Sequence, residues 1–208
     1  MSSCLFYPFI KMPDGWVSDK SAKYNVYYPV KEDILQYGTP VSWKEMMKIS
    51  GLKRVGEVAF AMHARLFGGF AKNSHHRMLS KLEAAMDTSL FYPEEDELSL
   101  FLLEPIRKLF SSKGARKIEY MSMMDGGGSL DILNASIEDL SNLCTGPVTV
   151  KDENADFVLT CYFDGNAALF FSKEENLHDL LAGTGLEGVI YKRDTPLAWE
   201  RSKVDYFG

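Results

Sequence analysis

The chain has 208 residues, 46% of them hydrophobic and 25% charged, a balance that excludes disordered and fibrous classes. No apolar run approaches the ~18 residues needed to cross a bilayer as a helix. The net charge of −6 is unevenly placed, because residues 115–208 carry 16 Asp and Glu against 8 Lys and Arg. Phosphates would be repelled by that half, which argues against nucleic acid and anionic lipid as partners.

Residues 1–10 lack a basic region and Pro8 breaks their short apolar run, which argues against a secretory leader. Cys4, Cys144 and Cys161 are odd in number and widely spaced, a usage that fits a reducing cytoplasm and no disulfide framework. The first 40 residues are rich in aromatics (Phe6, Tyr7, Phe9, Trp16, Tyr24, Tyr27, Tyr28, Tyr37) and broken by Pro and Gly. Rings at this density demand cover, so the segment is expected to be irregular, extended and wrapped over the core. A groove lined by the same rings is the functional alternative.

Ser42-Trp-Lys-Glu45 has the capping-box pattern and predicts a helix over 43–49, stopped by Gly51. A second helix follows, with Leu52, Val55, Val58, Ala59 and Met62 as its buried stripe. A third is expected over 77–87. Glu94-Glu-Asp-Glu97 ahead of an apolar run ending in Arg107, Lys108 and Lys113 complements the helix macrodipole and predicts one helical unit. Pro105 must kink it or open a second segment. Gly114 marks the change from helical to mixed character.

Beyond Gly114 the reading is a strand over 117–121, a glycine loop at 126–128 and a short helix over 137–143 capped by Ser136. Two β-rich runs, 156–163 and 166–171, flank Asp164-Gly165, which predicts a hairpin with a tight type I′ turn. A helix over 173–181 capped by Ser172 and a strand over 188–191 complete the chain. The fold class is α+β: one domain, 1–208, with a mainly helical half (1–114) and a half built on a small, mainly antiparallel sheet (115–208) that ends in a hairpin–helix–strand unit.

Candidate chemistry is sparse. Lys72, Ser74, His75, His76 and Arg77 form the one local cluster of basic and imidazole groups; with Ser74 capping the third helix they could bind an anion. Adjacent histidines on a helix diverge by about 100°, so no metal site is expected there. Asp125-Gly-Gly-Gly-Ser129 could approach a phosphate, but lacks the spacing of a nucleotide-binding loop. Two helices meeting at Gly51 suggest a helix-turn-helix, yet Ser50 and Glu57 fall where that motif wants apolar packing. Cys161, on a strand, is expected to be buried and inert.

No acid–base–nucleophile set emerges, so catalytic residues, cofactors, enzymatic activity and oligomeric state stay open. The leading reading is a cytoplasmic, non-catalytic binding protein with a protein partner and no membrane association. The alternative is a small enzyme or an anion- or nucleotide-binding domain using His75-His76. A helix-turn-helix regulator comes third.

Overall fold

The chain opens with β1 (Ser2–Phe6), and this first strand lies inside an eight-stranded antiparallel sheet rather than on its rim. The structure is a computed structural model that describes residues 1–16, 28–192, 195 and 205–208. The described residues form two compact units: Pro8–Pro93 is one, and Met1–Tyr7 with Glu94–Gly208 is the other.

The Pro8–Pro93 unit carries β2 (Phe9–Lys11), α1 (Lys31–Tyr37), β3 (Thr39–Val41), α2 (Trp43–Ser50), α3 (Val55–Phe67), α4 (Asn73–Ala85) and β4 (Leu90–Phe91). A three-stranded antiparallel sheet has the order β3-β2-β4. Ser42 caps α2 by accepting from the Glu45 amide, and Gly51 ends it in the left-handed conformation at φ 68°, as the sequence predicts. In α3, Val58, Ala59, Phe60, Ala61, Met62 and Ala64 are all buried, so the apolar stripe is wider than expected. Leu52, also buried, precedes the helix instead of belonging to it.

The other unit continues with α5 (Leu100–Ser112), β5 (Lys117–Ser122), β6 (Gly126–Asp131), α6 (Ile137–Ser141), β7 (Val148–Asp152), β8 (Phe157–Thr160), β9 (Ala167–Ser172), α7 (Leu177–Leu181), β10 (Gly188–Tyr191) and β11 (Asp205–Phe207). The strand order is β11-β10-β1-β9-β8-β7-β5-β6, with every described pair antiparallel. The protein is therefore α+β. Period-2 alternation turns Ile118, Val150, Phe157, Leu159 and Phe170 to one face, all buried. Phe110 of α5 stacks on Phe157 (centroids 5.3 Å apart), and Phe157 on Phe170 (6.0 Å). Burial of rings this size contributes to the unit's cohesion.

Several elements depart from expectation. β1 pairs with β9 on one side and β10 on the other, so the aromatic-rich N-terminus starts as a central strand. Tyr24 and Tyr27 lie outside the described residues. The run Gly126-Gly127-Gly128 is a strand, not a loop. A strand unforeseen in the sequence, β7, fills the space between β5 and β8. The acids at 94–97 precede α5 without joining it: Asp96 adopts φ 68°, donates its amide to the Gly165 carbonyl, and accepts the Asp164 amide on its carboxylate. Pro105 lies within α5. Ser172 belongs to β9, and Asn176 caps α7 instead.

The β8–β9 hairpin exists, with Leu159 opposite Phe170, but no two-residue turn closes it. Asp164 has φ 55°, whereas Gly165 is not among the residues of positive φ, so the turn is not type I′. Tertiary bonds take the loop apart from its own ladder. The Cys161 amide donates to the Val148 carbonyl at 3.0 Å, and the Asn166 carbonyl accepts from the Tyr7 amide at 3.1 Å.

Candidate functional site

Among the described residues, a groove of about 550 Å³ with a polar lining lies between the β5–β6 hairpin and α6. Tyr120 and Ser122 reach it from β5, Leu130 from β6 and Asp125 from the connecting turn. Asp139 and Asn142 face it from α6 and its C-terminal end, and Thr145 from the segment that follows.

Local chemistry holds each wall. The Ser122 hydroxyl accepts from the Met124 and Asp125 amides (3.1 and 3.2 Å), and Gly126 supplies the positive φ of 79° that returns the chain into β6. The Met123 amide donates to the Pro147 carbonyl, tying the turn to the chain before β7. Tyr120 and Gly128 are cross-strand partners. A Cβ at Gly128 would lie 2.6 Å from the Tyr120 hydroxyl oxygen, so the ring occupies the space that a side chain would fill. The Thr145 hydroxyl donates to Asp125 Oδ2 at 3.0 Å and links turn to wall.

Ser136 and Asp139 form a full capping box at the start of α6. The Ser136 hydroxyl and amide donate to the Asp139 carboxylate (2.7 and 2.8 Å) and hold its pKa below the usual carboxylate range. The groove thus presents two carboxylates, and none of its described lining residues is Lys, Arg or His. Met124 lines it at 69% exposure, and Met123, next to it in the turn, is 75% exposed, an adaptable apolar rim.

A second concavity, about 590 Å³, is lined by Lys113, Asp156, Lys173 and Glu174 among others. Both of its lysines are already matched within the protein, Lys113 to Glu174 and Lys173 to Asp156, each at 2.8 Å.

The residues singled out in the sequence lie at the start of α4. Lys72, not Ser74, is the N-cap; its carbonyl accepts from the His75 and His76 amides, and Ser74 sits in the first turn. His75 stacks on Phe60 with centroids 4.3 Å apart, His76 is half-buried and Arg77 exposed. They are neighbours on one helical turn in the Pro8–Pro93 unit; Asp125 belongs to the other unit. Among the described residues no three His, Cys, Asp or Glu side chains are grouped to hold a metal. Cys161 is buried, and that burial pushes its thiol pKa up. Buried Tyr7 also rises, first by burial and then through the nearby Cys161 and Cys144 thiols.

Several described aromatics of the Pro8–Pro93 unit pack on one another. Phe91 takes Trp16 and Tyr28 edge-on, at 5.8 and 6.0 Å, and the Arg65 guanidinium lies 4.4 Å from the Tyr92 ring centroid. Burial pushes the Tyr92 hydroxyl to about 12.

Sequence reasoning missed Tyr120, Asp139, Asn142 and Thr145. Ser136-x-x-Asp139 carried a legible capping signal; the placing of Tyr120 over Gly128 carried none.

A family profile described as "Protein of unknown function (DUF2711)" matches residues 3–201. The chain belongs to this DUF2711 family. It is 28% identical over 202 residues to "Uncharacterized protein YwbB" of Bacillus subtilis (strain 168), covering 96% of this chain and 90% of the relative. No solved structure matches significantly. No helix among the described residues is long and apolar enough to cross a membrane.

Proposed function

We propose that this protein is a non-catalytic binding protein that holds a cationic segment of a protein partner in the groove between the β5–β6 hairpin and α6. The observation that carries this reading is the pairing of Asp125 and Asp139 in one groove whose described lining has no basic side chain. An acid–base catalyst works best with a pKa near the operating pH, whereas Asp139 is held low by Ser136 and stays a fixed negative charge. The methionine rim suits a peptide with apolar side chains beside its cations. Three cysteines, odd in number, widely spaced and all buried, support a cytoplasmic setting.

The test uses a fluorescent hexapeptide of alternating lysine and valine, titrated against the protein by anisotropy. Saturable binding that weakens with salt and falls about tenfold in Asp125→Asn is expected, on the order of 1.4 kcal/mol. No binding, or binding indifferent to Asp125→Asn, rejects the reading. The competing anion site at Lys72, Ser74, His75, His76 and Arg77 makes the opposite prediction: phosphate would raise the melting temperature, and replacing both histidines by alanine would abolish the rise.

A further inference from the structure

β6 is the terminal strand of the eight-stranded sheet, and its hydrogen-bond phase can be read from its neighbours. The Ile132 amide donates to the Arg116 carbonyl, so residues 116 and 132 are a bonded pair. Antiparallel pairing alternates bonded and non-bonded pairs, which makes Gly126, Gly128 and Leu130 the residues bonded to β5. The bond from the Met123 amide to the Pro147 carbonyl sets the complementary phase on the β7 side of β5. The N–H and C=O groups of Gly127 and Ser129 therefore point outward from the sheet. Asp131 also turns its amide outward, while its carbonyl already accepts from Asn134 and Ala135.

Natural sheets blunt such edges with lysine, proline, bulges or covering elements. Within its six residues β6 has no lysine, proline or bulge and one charge, Asp131 at its end, and among the described residues its three consecutive glycines leave the edge exposed. We propose that β6 accepts an added antiparallel strand from a basic segment of another protein, a mode that rests on the groove reading above. The faces of β6 decide the pattern of that strand. Gly128 and Leu130 lie on the groove face with Tyr120, and Gly127, Ser129 and Asp131 on the opposite face with Met121. In an antiparallel pair, directly opposed residues share a face. The residues that bond to Gly127 and Ser129 thus place their side chains beside exposed Met121, while the intervening residues send theirs toward Asp125 and Asp139. The segment it fits alternates apolar and basic residues.

Charge selects against a second copy of this chain. Asp125 and Asp131 stand at the two ends of β6, and antiparallel self-pairing would lay the acids of one copy near those of the other.

The experiment uses the lysine–valine hexapeptide, two backbone-methylated forms of it, and the protein with Ser129→Pro. N-methylation of the valines, whose amides face β6, is expected to weaken binding at least tenfold; N-methylation of the lysines is expected to leave it within twofold. Ser129→Pro removes an outward N–H without touching the β5 ladder and is expected to weaken the parent peptide at least tenfold. The methylated peptides test the unaltered protein, so the result stands even if Ser129→Pro misfolds. Binding that is lost in Asp125→Asn but indifferent to valine methylation overturns strand addition while leaving the groove reading intact. No binding of the parent peptide overturns both. Self-association of the unaltered protein in sedimentation, abolished by Ser129→Pro, overturns the choice of a foreign partner.

Discussion

The Tyr120 ring lies against the backbone of Gly128, its cross-strand partner, and a Cβ at that glycine would come within 2.8 Å of the ring carbon bearing the hydroxyl. The aromatic covers a position that would otherwise leave the strand without a side chain. Gly128→Ala should push the ring aside. Because the ring ends a rotatable side chain, stability should change by about 1 kcal/mol or less. In urea melts of Gly128→Ala, Tyr120→Ala and the double variant, a coupling of about 0.5–1 kcal/mol is expected. Strict additivity would show that the two residues do not constrain each other.

Gly188 presents the opposite case, because backbone rather than side chain crowds it. A Cβ there would lie 2.1 Å from the Cys4 carbonyl oxygen, in the pairing of β1 with β10. Neither strand can retreat without breaking a ladder, so Gly188→Ala should destabilise by about 3 kcal/mol. Chemical denaturation measures this, and a loss below ~1 kcal/mol would place β1 and β10 farther apart than the structure has them.

At the β8–β9 loop the strained residue is Asp164, with φ 55°, and not Gly165. Asp164→Val should cost about 1–2 kcal/mol, since a β-branched side chain tolerates the left-handed region poorly. Asp164→Gly keeps the amide that bonds Asp96 and should stay within about 0.5 kcal/mol of the parent. Equal melting temperatures for the Val and Gly variants would count against the left-handed assignment.

Asp87 supplies a pH signature. Hydrogen bonds from Lys11, first, and from Ser89 lower its pKa to about 2. A folded value below the unfolded one, near 3.9, means stability that is full above pH ~4 and lost as pH falls toward ~2. The carboxylate is 59% exposed, so screening holds the contribution below about 1 kcal/mol. Asp87→Asn should lose up to about 1 kcal/mol at neutral pH, and the difference from the parent should vanish as pH falls to ~2, which flattens the acid limb of the Pro8–Pro93 unit within that window. An acid limb identical to the parent's would remove the pair from the stability account.

Local sequence determined what local physics controls. Ser42 and Gly51 bracket α2 because a hydroxyl satisfies a free helical amide at one end and glycine tolerates positive φ at the other. Ser136 starts α6 for the same reason, and Val58, Ala59 and Met62 are buried because a 3.6-residue period gathers them on one face. The α+β class followed from such elements. What tertiary structure alone decided were the pairings between residues remote in sequence. Ser2–Phe6 is a central strand only because β9 and β10 come to either side of it, and three glycines form a strand because β5 supplies their ladder, with Tyr120 lying over one of them. Asp164-Gly165 lost its two-residue turn to bonds from Asp96, Val148 and Tyr7. The groove has the same origin: its two carboxylates stand fourteen positions apart in sequence and share a wall through the pairing of β5 with β6 and the return of α6, a juxtaposition that no local spacing encodes.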